Sequence, residues 1–107
     1  MTPLRVNGNC RLDAGGGGQV VLEPRRVSWA IGRITVSTPG EALATARVLV
    51  YVVDRFVDGS STPASDTADY TPGQLSVTPP DYVRVVWTGG TPGLTGSVQL
   101  EGSQRGV

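Results

Sequence analysis

Tyr82 to Gly102, YVRVVWTGGTPGLTGSVQLEG, decides the fold class. Val83, Val85 and Trp87 alternate with Tyr82, Arg84 and Val86. A period of two puts one set in a core and the other outside, which is the signature of a strand. The Gly/Pro run TGGTPG then forces a turn, so the stretch reads as a hairpin to which the other strands are added. Beyond it Leu94, Gly96, Val98 and Leu100 alternate with Thr95, Ser97, Gln99 and Glu101, a second strand with one wet face. Trp87 and Trp29 both fall in the apolar phase of their strands and are read as core anchors rather than sugar-stacking platforms.

The same pattern recurs upstream. Gln19 to Glu23 is a β-branched run closed by Pro24. In Arg25 to Thr38 the apolar positions are odd (Val27, Trp29, Ile31) before Gly32 and even (Ile34, Val36) after it. A one-residue phase change at a glycine predicts a β-bulge or a switch between sheets, in one bent strand or two consecutive ones. Glu41 to Asp54 reads as a central strand with Ala44, Ala46, Val48, Val50 and Val52 inward. Gln74 to Thr78 is a short strand ended by two prolines. Arg55 to Gly73, rich in Ser, Thr, Asp and Gly, reads as the longest loop and hence as a contact surface. No stretch makes a convincing helix. The expectation is an all-β, two-sheet antiparallel sandwich of Ig-like or jelly-roll type, with about seven strands.

The ends are divided more coarsely. Residues 1–14 alternate weakly and are interrupted by Asn7-Gly8-Asn9, so they read as an extended N-terminal arm, docked on a neighbour or frayed. Gly15 to Gly18 reads as a glycine hinge; no Gly-Lys-Ser/Thr follows, which removes a phosphate loop. Residues 19–102 form the sandwich domain and 103–107 a loose tail.

Composition narrows the function more by subtraction. Only 6% of residues are aromatic, so the core must rest on Val, Leu, Ile and Ala. The net charge is zero, which gives no attraction to nucleic acid or anionic membrane. All nine basic residues are Arg. Without His or Lys, and with a lone Cys10 in the arm, the common nucleophile–base pairs are missing, so no enzyme and no catalytic residue is expected. Cys10 has no internal disulfide partner. Asp54, Asp58, Asp66 and Asp69 offer oxygens to Ca²⁺, but the EF-hand spacing is absent and a solvated loop is the simpler reading. No cofactor and no metal is expected. No basic segment leads into an apolar run at the N-terminus, so no signal peptide is read there. The candidate contact surface is Asp66, Asp69, Tyr70 and Tyr82, and all three tyrosines, Tyr51, Tyr70 and Tyr82, hold positions of half-exposed character that suit contact surfaces.

At Trp87-Thr88-Gly89-Gly90-Thr91-Pro92-Gly93 the chain resembles small structural proteins of tailed bacteriophages that infect GC-rich bacteria. The resemblance follows the order Gly18 to Pro24, Trp29 to Thr38, Val48 to Val53, Asp58 to Asp69 and Val83 to Gly102. Its motifs are structural and bring no active site. It implies a virion component assembled in the host cytoplasm. That component is a minor tail protein, or alternatively a capsid decoration protein. Its partners would be other copies of itself and other virion proteins. A carbohydrate-binding module, attaching to host-surface glycan, stands as the other alternative.

Overall fold

The computed structural model describes residues 2–53, 55–60, 65–71 and 75–106, with backbone only at residues 58, 60, 65 and 66. Its strands are β1 (Thr2–Arg11), β2 (Gly18–Leu22), β3 (Val27–Ser37), β4 (Arg47–Val52), β5 (Arg55–Ser60), β6 (Ser65–Asp69), β7 (Ser76–Val77), β8 (Val83–Thr88) and β9 (Thr95–Gly106). There are nine strands rather than about seven, and no helix among the described residues. One sheet runs β1-β9-β3-β6, with β7 also on β3; the other runs β2-β8-β4-β5. All pairs are antiparallel.

The pairing is nested. β1 pairs β9, β2 pairs β8, β3 pairs β6, and β4 pairs β5. A single long hairpin, rolled so that β3 also meets β9 and β4 meets β8, gives this connectivity. It is the jelly roll, so of the two expected sandwich types this is the one found. The core lies between the sheets and is built from alternate residues of each strand. Val83, Val85 and Trp87 of β8 face Ile31, Ile34 and Val36 of β3 and Val98 and Leu100 of β9, all nearly or fully buried. Val48, Val50 and Val52 fill it from β4.

The phase change at Gly32 is a bulge. Ile31 opposes Gly102 while Arg33 opposes Glu101, so one extra residue sits on β3. The strand bends but stays continuous. Gly102 has no side chain because a Cβ there would enter the Ala30 carbonyl. Gly96 is bare for a related reason, since the Trp87 indole lies across it and a Cβ would come 2.5 Å from Nε1.

Four expectations are corrected. Residues 2–11 are not an arm; they pair with β9 over ten consecutive residues. Asn7 and Asn9 keep the alternation, since they face outward, and Gly8 interrupts it only because Val20 and Leu22 of the other sheet fill its side-chain space. Gly15 to Gly18 is not a hinge. Asp13 accepts the N–H of Gly15 at 2.9 Å and of Gly17 at 3.0 Å, and Gly18 already belongs to β2. Residues 103–106 are not a loose tail, because β9 runs on to Gly106 between β1 and β3. The long polar loop is largely two edge strands, β5 and β6. Edge strands with a wet face and short polar side chains resemble loops in composition, and only pairing to β3 and β4 reveals them. Ala44 also differs: it is exposed, because β4 starts at Arg47.

Candidate assembly surfaces

Antiparallel register fixes which side chains share a face, so each sheet's outer surface can be read in rows across the strands. On the β1-β9-β3-β6 sheet one row is Arg5, Glu101, Arg33, Asp69, alternating in sign. The next is Asn7, Gln99, Thr35, Thr67. Neighbours within and between the rows are already bonded. Arg33 Nε donates to Asp69 Oδ1 at 2.6 Å, Gln99 Nε2 donates to Glu101 Oε1 at 2.7 Å, and the Thr35 and Thr67 hydroxyls lie 3.3 Å apart. Ser37 and Ser97 hydroxyls follow at 2.8 Å. These bonds tie β3, β6 and β9 together across a polar face.

The β2-β8-β4-β5 sheet is different. Its corresponding row is Val21, Arg84, Tyr51, Phe56. The Arg84 guanidinium stands 4.6 Å over the Tyr51 ring, a cation–π contact. Phe56 meets Tyr51 edge to face, with centroids 5.9 Å apart and planes at 75°. The adjacent row runs from the exposed Gln19 through Val86 and Leu49 to Gly59, over which Leu49 and Phe56 approach each other. Val21 is 43% exposed and Phe56 57%. An apolar and aromatic surface thus lies across four strands, with Arg47 and Arg55 exposed at its margins.

The loop end carrying the Trp-Thr-Gly-Gly turn is tied tightly. Glu41, only 5% exposed, accepts from the N–H groups of Ala42 (3.1 Å), Leu43 (2.9 Å) and Thr91 (2.7 Å) and from the Thr91 hydroxyl (2.9 Å). The Leu43 and Thr91 N–H bonds are the main reason its carboxyl stays below the ordinary range, against the opposing effect of desolvation. Trp87 Nε1 donates to the buried Thr38 hydroxyl at 3.1 Å. The Gly90 N–H donates to the Gly16 carbonyl and the Gly93 N–H to the Leu12 carbonyl, both at 3.0 Å. Segments 12–17, 38–46 and 89–94 thereby form one unit. Glu41 is structural here. The sequence signal for it, an acid just after Pro-Gly in a chain with few charges, does not by itself separate a staple from a solvated carboxylate.

The four expected contact residues are not brought together as one patch. Asp69 is held by Arg33 on the polar face. Asp66 belongs to β6 with its backbone opposite Val36, and its side chain lies outside the described residues. Tyr70 is half-buried against the core and lines a cleft of about 290 Å³ with Val52, Arg55, Phe56, Val57 and Leu75. Tyr82 is half-buried at the start of β8, and its carbonyl accepts from the Val53 N–H at 2.9 Å. Tyr51, a half-exposed tyrosine expected at a contact surface, does lie on the other sheet's outer face, but the row it forms with Val21, Arg84 and Phe56 was not legible, because its members come from four separate segments. Their sequence signal was weak: outward-phase apolar residues on strands whose other phase is also apolar.

For the calcium reading, Asp54 and the side chains of Asp58 and Asp66 lie outside the described residues, and Asp69 is paired with Arg33. Among the described residues no three His, Cys, Asp or Glu side chains gather into a metal-sized group. Cys10 is a free, half-buried thiol, and burial pushes its pKa up, away from the reactive thiolate. A scan against protein-family models finds no match, and a search of curated proteins returns no relative.

Proposed function

We infer that this chain is a non-enzymatic structural subunit of a tailed-bacteriophage virion, a minor tail protein, which works by packing against neighbouring virion proteins. The observation that carries the reading is the Val21, Arg84, Tyr51, Phe56 row on the outer face of the β2-β8-β4-β5 sheet. Aromatic residues and Arg are the types that anchor protein interfaces, and here they are pre-packed on a rigid sheet. The Trp-Thr-Gly-Gly turn and the strand motifs from Gly18 to Gly102 supply the resemblance to phage structural proteins. The jelly roll supports it as an analogy only, since viral shells and lectins both use that fold. A capsid decoration protein would use the same surface.

Glycan binding fits the geometry less well. A stacking platform needs an open ring face, and one face of Tyr51 is taken by Arg84. Tyr70 and Tyr82 are half-buried. The test is a particle-incorporation experiment with a Phe56→Asp variant. The native chain is expected in purified virions. The variant is expected to fold cooperatively, with its melting midpoint lowered by roughly 2–8 °C through loss of the Tyr51 contact, and to be lost from particles even below that midpoint. Absence of the native chain from virions, or undiminished incorporation of the variant, overturns the reading.

A further inference from the structure

We propose that a second copy of this chain docks along β1, edge to edge, so that the two β1-β9-β3-β6 sheets join into one across a two-fold axis at Asn7. β1 is terminal in its sheet, and no described strand pairs with its outer edge. Such an edge presents a row of backbone donors and acceptors, which natural proteins usually guard with bulges, charge, proline or short length. The other edges are guarded in these ways. β5 is bulged between Val50 and Tyr51 of its partner strand, and β2 and β6 have five residues each. β1 has ten residues and pairs β9 without a register shift, with its proline, Pro3, only at the start.

The edge is also complementary to itself. About an axis at Asn7, residue numbers of opposed pairs sum to an even number, so outward side chains meet outward ones and inward meet inward. Outside, Arg5 of one copy meets Asn9 of the other, and Asn7 meets Asn7. Inside, Leu4 meets Cys10 and Val6 meets Gly8, which continues the apolar seam. No like charges are opposed; shifting the axis to Arg5 or to Gly8 would set Arg against Arg. Gly8 leaves room for Val20 and Leu22, so the second sheet's edge strand packs closely over β1. The ten residues of β1 span about 33 Å of edge, long enough for a continuous ladder with a second copy. Zero net charge leaves no general repulsion between copies. A contact of this isologous kind closes as a dimer and does not run on as a fibre.

This names the self-partner within the assembly reading, but its test does not depend on virions. Asn7→Cys, made together with Cys10→Ser, is oxidised at dimer-forming concentration. Opposed Cα atoms in an antiparallel pair are about 4.5–5.5 Å apart, within the roughly 4.4–6.8 Å that a disulfide spans. A covalent dimer is expected. The chain that keeps only its native Cys10 is expected to give none, because the two Cys10 residues lie about 20 Å apart along the strands. Asn9→Arg sets a cation against Arg5 twice per dimer, and should raise the dissociation constant measured by sedimentation at least about tenfold, salt-dependently. Its monomer melting midpoint should not move, since Asn9 is exposed. A chain that stays monomeric at millimolar concentration overturns the proposal. So does a dimer that Asn7→Cys does not trap or that Asn9→Arg does not weaken. A trapped dimer with no chain in virions would instead keep this contact and overturn the virion reading.

Discussion

Glu41 shows how much one side chain can organise. It is the buried carboxylate among the described core residues, and its charge is held by three backbone N–H groups and one hydroxyl rather than by a cation. Its folded pKa lies below the unfolded value of roughly 4.3. The stabilisation is therefore fully present above that unfolded value and is lost as pH falls through the depressed one. Glu41→Gln keeps the shape, but its amide nitrogen replaces one accepting oxygen, so the N–H bonds at that position are lost and those to the remaining oxygen lose the charge. It is expected to lower the melting midpoint at pH 7 by about 5–10 °C and to flatten the midpoint's fall between pH 5 and pH 3. A thermal melt series across that range checks both. Gly96 is the complementary case, a residue defined by what it lacks. Gly96→Ala drives a methyl into the Trp87 indole. The expected cost is about 1–3 kcal/mol in chemical denaturation, with a shift in tryptophan emission as the ring moves. By contrast Asp69→Ala removes only a pair whose side chains are 51% and 67% exposed, so the melting midpoint should hardly change.

β1 is the element whose role changes most between sequence and structure. It supplies Leu4 to the core and covers one side of β9, where Leu100 is fully buried. A chain lacking residues 1–11 should therefore lose its cooperative melt and expose apolar surface. If those residues were an arm, the truncated chain would melt as sharply as the full one. Circular dichroism on heating distinguishes the two. β5 and β6 teach the same lesson from the opposite direction. Their Ser, Thr and Asp content reads as loop, yet β6 is in register with β3 from Arg33 opposite Asp69 to Ser37 opposite Ser65. A half-wet edge strand has too few apolar residues for its period to stand out, so its pairing partner must be known first.

The whole molecule divides its surface by chemistry. One sheet face is polar and internally bonded, the other apolar and aromatic, and the laced loop end joins them. That lacing predicts uneven dynamics. The Thr91 and Gly90 amides, bonded to Glu41 and to the Gly16 carbonyl, should exchange with solvent nearly as slowly as core strand amides, although they sit in a glycine-rich turn. Hydrogen exchange read residue by residue checks this; fast exchange at Thr91 would mean that the staple is not closed in solution. A rigid end and a pre-packed aromatic face suit a subunit that docks without rearranging.

The amino-acid sequence alone determined the all-β class, the inward phase of Val83, Val85 and Trp87, the break of phase at Gly32 and the core role of both tryptophans; that the break is a bulge and not a switch between sheets is read only from the register of β3 on β9. Each of these follows from period two and from local turn chemistry, which are properties of neighbours in the chain. Tertiary structure decided the rest. The jelly-roll order pairs residues as far apart as Thr2 and Gln104, and no local signal encodes such a pairing. Gly8 looks like an interruption until Val20 and Leu22 arrive from the other sheet to occupy its place. The Val21, Arg84, Tyr51, Phe56 row exists only because four strands come into register. The stretch from Tyr82 to Gly102 keeps its place at the centre of the fold but is not the hairpin its pattern suggests, with β8 between β2 and β4 and β9 between β1 and β3. Its two strands lie in different sheets, because the turn between them crosses the sandwich instead of closing a ladder.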